Sequence, residues 1–155
     1  RDIARGAVEA GADLILGSHP HVVQPYEIWS VAGAGGAEGG RRGLIFYSLG
    51  NFISNQTGNG TDIGLIVKVR LTRTEFADGR VTLAWDPPEF IPTWVHIQRK
   101  NGKRHYRILP LPVILNDARR DRFTPDEYAH MEKIWKETES HVRSLEAAGG
   151  EPGRS

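Results

Sequence analysis

Ala12-Asp13-Leu14-Ile15-Leu16-Gly17 is a short apolar run bounded by glycines, the pattern of a strand buried on both faces of a sheet. Just before it, Ile3-Ala4-Arg5-Gly6-Ala7-Val8-Glu9-Ala10-Gly11 has the spacing of the later turns of an amphipathic helix, with Gly11 as its stop. A helix leading into a buried strand predicts an α/β sandwich. Just after it comes Gly17-Ser18-His19-Pro20-His21. Imidazole is the commonest neutral metal ligand, and two of them one residue apart at a strand end can turn toward a common point. Pro20 has no N–H and biases His19 toward extended backbone, which predicts a pair stiffened before any metal arrives. The alternative is a loop turn in which both rings only hydrogen-bond the backbone.

Leu44-Ile45-Phe46-Tyr47 predicts a second buried strand, from whose end Ser48-Leu49-Gly50-Asn51 turns the chain away. In an open α/β sheet ligands gather beyond the carboxyl ends of strands, where loops leave polar groups unburied over a rigid base. If the two strands are neighbours, His19, His21, Ser48 and Asn51 share one rim, with Ser48 and Asn51 as substrate-binding candidates. Local chemistry equally describes residues 48–51 as a plain β-turn, Gly50 taking φ > 0 and Asn51 bonding its own backbone. A catalytic metal needs three or more ligands, and a two-metal site needs carboxylates to screen the charge. Asp13 falls at the opposite end of its strand, Glu27 on an untyped segment and Asp62 at a strand start, so none is placed as a third ligand.

The remaining chain reads as follows. Residues 22–29 form a short extended or helical piece, with Pro25 arguing against a central strand. Residues 31–43, rich in Gly and Ala, read as a solvent loop, since no helix start follows to make a phosphate cradle. Leu65, Val67, Val69 and Leu71 alternate with polar positions, and after Asp78-Gly79 the alternation resumes at Val81, Leu83 and Trp85, predicting a hairpin with one face packed. Asn101-Gly102, between residues 94–98 and 105–109, predicts a second hairpin. Thr124-Pro125-Asp126-Glu127 opens a helix to about Ala148, with Tyr128, Met131, Ile134, Trp135, Thr138, Val142 and Leu145 as its core face. Gly149-Gly150 would cap it, and residues 151–155 read as a frayed tail.

The 155 residues suffice for one domain that buries roughly 70% of its unfolded surface. Twenty basic against nineteen acidic residues, a net charge of +1, offer no charge excess of the kind nucleic-acid binders show, so no nucleic acid is expected as a partner. Cysteine is absent, which excludes disulfides and thiolate ligation and leaves a metal only N and O donors. No run approaches the roughly 18 apolar residues of a membrane span. His96, Arg99, Lys100, Lys103, Arg104, His105 and Arg107, with Tyr106, make a basic stretch that would attract an anionic polymer, though a solvated hairpin is its ordinary explanation. His130 and His141 stand as isolated surface candidates.

Gly17-Ser18-His19-Pro20-His21-Val22-Val23-Gln24-Pro25, followed by Gly43-Leu44-Ile45-Phe46-Tyr47-Ser48-Leu49-Gly50-Asn51-Phe52, resembles the C-terminal half of the bacterial capsule-synthesis proteins of the CapA type, the poly-γ-glutamate biosynthesis family. Pro92-Thr93-Trp94-Val95 and Arg107-Ile108-Leu109-Pro110-Leu111 resemble that family's ending more weakly. The resemblance covers residues 1–115, leaving residues 116–155 as a C-terminal amphipathic helix and tail. That family is in turn similar to the calcineurin-like metallophosphoesterases. The resemblance therefore implies part of a four-layer αββα sandwich, a mixed sheet plus antiparallel hairpins, built around two divalent metals such as manganese, iron or zinc. It implies that His19 and His21, matching the closing Gly-X-His-X-His segment, are metal ligands with a catalytic role. The superfamily's Asp-X-His, Gly-Asp and Gly-Asn-His segments are not in this sequence. With Arg1 in place of a Met, the chain is expected to be the C-terminal part of a longer protein, binding metal weakly and inactive alone.

The resemblance further implies a metal-dependent hydrolase in the intact protein, acting on a phosphoester or anionic polymer with other capsule-synthesis proteins as partners. Its place would be the cell envelope or the extracellular face of a bacterial membrane, with any membrane association made by regions outside this chain. Two rivals are a non-catalytic polymer-binding or assembly module and a general phosphodiesterase or nucleotidase, the latter lacking any visible nucleoside pocket. Asn55-Gln56-Thr57 and Asn59-Gly60-Thr61 fit a glycosylation pattern, which the bacterial resemblance sets aside.

Overall fold

The computed structural model describes residues 1–32, 40–118 and 121–146. Helix α1 (Asp2–Glu9) ends just before Gly11, whose φ of +122° lets the chain double back. Strands β1 (Leu14–Leu16), β2 (Tyr26–Val31) and β3 (Arg41–Phe46) then form a sheet ordered β1-β3-β2, with β3 parallel to β1 and antiparallel to β2. The expected α/β character holds. The buried centre is β3, whose Leu44, Ile45 and Phe46 are at most 1% exposed. Val8 of α1 is fully buried over Gly43, where a Cβ would lie 2.5 Å from both Val8 methyls. Side-chain absence at that one position lets the helix seat on the sheet.

Three readings of this half are corrected. β1 is an edge strand rather than one buried on both faces: among the described residues it pairs with β3 alone, and Leu16 is 62% exposed. Residues 31–43 are not all loop, because β2 runs to Val31 and β3 starts at Arg41; residues 33–39 lie outside the described ones. His19 is not extended, taking φ +119° despite the following proline. The physical reason is a short tether. Gly17 N–H is fixed to the Phe46 carbonyl at 2.6 Å and Gln24 N–H to the Ser48 carbonyl at 2.9 Å, so the few residues between must reverse the chain.

The second half contains β4 (Ile63–Lys68), β5 (Leu71–Glu75), β6 (Val81–Trp85), β7 (Glu89–Lys100) and β8 (Lys103–Pro110). An antiparallel sheet is ordered β4-β7-β8, and β5 and β6 pair separately. The Asn101-Gly102 hairpin is present, with φ +51° and +75° at its two turn residues. The first predicted hairpin is corrected: its upstream limb is two strands, β4 on β7 and β5 on β6. Nor is the β5–β6 pair packed on one face along its length, since every β5 residue is exposed.

A short helix α2 (Leu111–Asn116), which the pattern did not anticipate, precedes α3 (Pro125–Val142) and a 3₁₀ turn at Arg143–Leu145. α3 starts with the expected capping box: Thr124 Oγ1 accepts from the Glu127 N–H, and the Glu127 carboxylate accepts from the Thr124 N–H. The regular α-helix stops at Val142, short of the expected Ala148; the Gly149-Gly150 cap and the tail lie outside the described residues. Tyr128, Met131 and Ile134 join Leu109, Leu111 and Leu115 in one apolar cluster. Val23, Tyr26, Leu44, Phe46, Leu65 and Val142 form the other, and Ile63 packs against both.

Candidate functional site

The parallel pairing of β1 with β3 puts their carboxyl ends side by side, with Leu16 opposite Phe46. His19 and His21 leave the first end, and Tyr47 to Asn51 leave the second, so the shared rim is formed. Glycine makes the approach possible. A Cβ on Gly17 would sit 2.2 Å from the Tyr47 carbonyl oxygen, and one on Gly64 would sit 2.3 Å from the Asn51 carbonyl oxygen. The segment 47–51 is thus clamped by backbone on both sides, with Gly50 at φ +68° bridged to Gly64 and Leu49 bridged to Val23.

Both histidines are exposed, their ring centroids 6.4 Å apart and tilted by 41°. His21 also has positive φ, +59°, so two consecutive imidazole-bearing positions of the loop sit in backbone conformations that non-glycine residues rarely adopt. His21 Nδ1 is 2.8 Å from Asn51 Oδ1. Asn51 does not bond its own backbone as the turn reading expected; its amide nitrogen donates to the Thr61 carbonyl at 2.8 Å and to Gln56 Oε1 at 3.1 Å. The long loop after Asn51 folds back and takes that role. Ser48 is 1% exposed, and its Oγ accepts from the Gly50 N–H at 3.2 Å, so it faces the turn rather than the rim.

As a metal fit, the donors are right in kind and short in number. Neutral imidazoles suit zinc or iron, whereas manganese would want carboxylate oxygens as well. An ion about 2.1 Å from a ring nitrogen lies roughly 3.2 Å from that ring's centre, so rings spaced like these would share one ion only in a near-linear arrangement. Among the described residues no three His, Cys, Asp or Glu side chains come together to hold an ion. The three acids weighed from sequence are engaged elsewhere. Asp13 pairs with Arg41 at 2.7 Å, and Asp62 accepts from Trp94 Nε1 at 3.1 Å.

Glu27, buried on β2, takes both nitrogens of the Arg5 fork at 3.1 and 2.6 Å and the Tyr47 hydroxyl at 2.5 Å. Burial pushes its pKa up, but the Arg5 and Tyr47 hydrogen bonds outweigh it and leave the carboxylate below its ordinary range. Burial, then the bond to Glu27, pushes the Tyr47 phenol up to about 12. This cluster ties α1 to the rim strand, and nothing in the local sequence signalled it. Beside it a groove of about 510 Å³ runs between Val22 and Val23, next in sequence to His21, and His141 and Ser144 at the end of α3. A smaller concavity of about 410 Å³ beside Asp13 and Trp85 lies at the other end of β1, away from the histidines.

Of the basic stretch, His96 is buried and bonded through Nε2 to Glu127 at 2.8 Å. Arg104 Nη1 and the Tyr106 hydroxyl both donate to Asn55 Oδ1, at 2.5 and 2.8 Å. The hairpin's charge is partly spent within the fold.

Residues 1–56 match the family model described as bacterial capsule synthesis protein PGA_cap. The chain is 38% identical over 69 residues to the capsule biosynthesis protein CapA of Bacillus anthracis, and 37% over 73 residues to the PGA biosynthesis protein CapA of Bacillus subtilis. Residues 1–56 are thus similar to the CapA-type capsule synthesis family. The two alignments cover 44% and 47% of this chain but only 14% and 16% of the two CapA proteins. No solved structure matches the fold. The matched CapA segment contains the whole rim: α1, β1, the His-Pro-His loop, β3 and Asn51. Among the described residues no helix is long and apolar enough to cross a membrane.

Proposed function

We propose that this chain contributes two histidine ligands, His19 and His21, to a two-metal centre of a capsule-polymer biosynthesis protein at the bacterial cell envelope. The observation that carries the reading is their placement: two exposed imidazoles on a strained loop, beyond the carboxyl ends of adjacent parallel strands, in the family-matched segment. Strain of this kind persists where the surrounding structure over-determines it, and such positions cluster at functional sites. The 6.4 Å ring spacing favours two neighbouring ions over one shared tetrahedral ion.

When bound, paired divalent ions would supply an activated water and polarise a phosphoryl or acyl oxygen. The chain's own part is to hold the two imidazoles at the rim and to offer the adjoining groove to an anionic substrate. Envelope location and capsule-polymer chemistry follow the two CapA relatives' names.

The test is zinc or manganese titrated into the purified chain, followed by histidine side-chain NMR. Selective perturbation of His19 and His21, lost in the His19→Ala/His21→Ala double variant, is the expected result, with no hydrolysis of p-nitrophenyl phosphate. An unchanged pair at saturating zinc, or equal binding by the double variant, would overturn the assignment.

A further inference from the structure

Asn51 stands where a substrate-binding residue was expected, yet all of its side-chain bonds run into the protein. We infer that Asn51 is a positioning residue, which holds His21 as its Nδ1–H tautomer so that Nε2 carries the lone pair toward the rim. The inference rests on the metal-ligand reading for its purpose, though not for its geometry.

The proton's place follows from the acceptors. The Thr61 carbonyl can only accept, so the Asn51 nitrogen must be the atom 2.8 Å from it. That leaves Oδ1, which has no hydrogen, facing His21 Nδ1 at 2.8 Å. A bond between these two atoms requires the proton on Nδ1, and a neutral imidazole then has its free pair on Nε2. In an unconstrained histidine the Nε2–H form is the commoner one, so the contact selects the minor tautomer. Metal-binding histidines characteristically donate their second ring N–H to a fixed oxygen in this way.

Asn51 is itself held. Its carbonyl approaches Gly64 too closely for any Cβ there, and Gly50 beside it is bridged to the same glycine at the start of β4. The orientation of His21 is thereby tied to the second sheet through β4. His19 supplies an internal control, since among the described residues no side chain holds it in this manner. A change at Asn51 should move one ring and leave the other.

The experiment is a long-range ¹H–¹⁵N correlation of the histidine rings in the labelled chain at pH 8, without metal. In the unaltered protein His21 should show a protonated Nδ1 and a pyridine-like Nε2. Asn51→Leu should shift it to the Nε2–H form with His19 unchanged, and Asn51→Asp, which keeps the acceptor, should restore Nδ1–H. Zinc affinity should fall about 10- to 100-fold in Asn51→Leu and recover in Asn51→Asp. An Nε2–H His21 in the unaltered chain overturns the inference, and this spectrum decides it even if Asn51→Leu does not fold. Persistence of Nδ1–H in a folded Asn51→Leu also overturns it. If the tautomer is as stated but zinc perturbs neither ring, the positioning stands and the metal reading falls. If zinc perturbs both the His19 and His21 rings while His21 is the Nε2–H form, the reverse holds.

Discussion

A Cβ on Gly17 would meet the Tyr47 carbonyl oxygen at 2.2 Å and that of Phe46 at 2.8 Å, both backbone atoms of the strand that carries the rim. Neither can rotate away, so β1 and β3 would have to part, and Gly17 N–H would lose its bond to Phe46. Gly17→Ala should therefore cost more than about 2 kcal/mol in urea unfolding, within the range of overpacked interiors, and should release the His19–His21 loop from its geometry. Gly6 is the contrast: exposed, inside α1, and with open space around its missing Cβ. Gly6→Ala should stabilise the chain by about 1 kcal/mol in the same experiment, through the gain in helix propensity. Equal stability of Gly17→Ala and the parent would show that the strands are less closely apposed. From sequence, Gly17 was legible as the end of a strand. Its close approach to Tyr47 was not, because which backbone it faces is decided by a partner thirty residues away.

Elements that were legible owe their form to neighbours in sequence. The α3 start follows from Thr124, Pro125 and Glu127, and the β7–β8 turn from Asn101 and Gly102. Residues 63–75 resisted because alternation continues through Val69 and Arg70 while the pairing partner changes from β7 to β6. Only the partner strands distinguish the two. At this scale the capping box yields a pH prediction. The Thr124 N–H bonded to Glu127 holds its carboxyl below the ordinary 4.5, burial opposing and the His96 bond assisting. A carboxyl whose folded pKa is lowered stabilises fully above its unfolded value and loses that contribution as pH falls through the folded one. Glu127→Gln should thus be less stable than the parent at pH 7. The gap should narrow below about pH 4.5 in melts at stepped pH; a gap independent of pH would refute the assignment. Thr124→Ala, which removes the reciprocal bond, should cost about 1 kcal/mol.

Two apolar clusters, one under the mixed sheet and one under α2 and α3, meet at Ile63, the first residue of β4. Ile63 N–H bonds the Gly60 carbonyl, and its neighbour Gly64 receives the bridge from the rim turn at Gly50. The start of β4 is therefore one of the links between the histidine rim and the antiparallel sheet, beside Phe90 of β7, whose ring packs on Tyr26 and Phe46. The sequence did not mark Ile63, since joint membership of two cores appears only when both sheets are assembled. Ile63→Ala should cost about 2 kcal/mol, less than a fully buried isoleucine because the site is partly exposed. Its more telling effect should be on cooperativity. In the parent, amides of β3 such as Ile45 and of β7 such as Val95 should exchange hydrogen with one shared opening free energy, as expected of a single cooperative unit. In Ile63→Ala the two values should separate, with the rim sheet opening more readily, whereas Ile66→Ala, further along the same strand and exposed, should leave them together. Equal losses in both sheets on removing Ile63 would mean that the clusters are coupled elsewhere, through Val142 and the end of α3, which packs into the first cluster from the second.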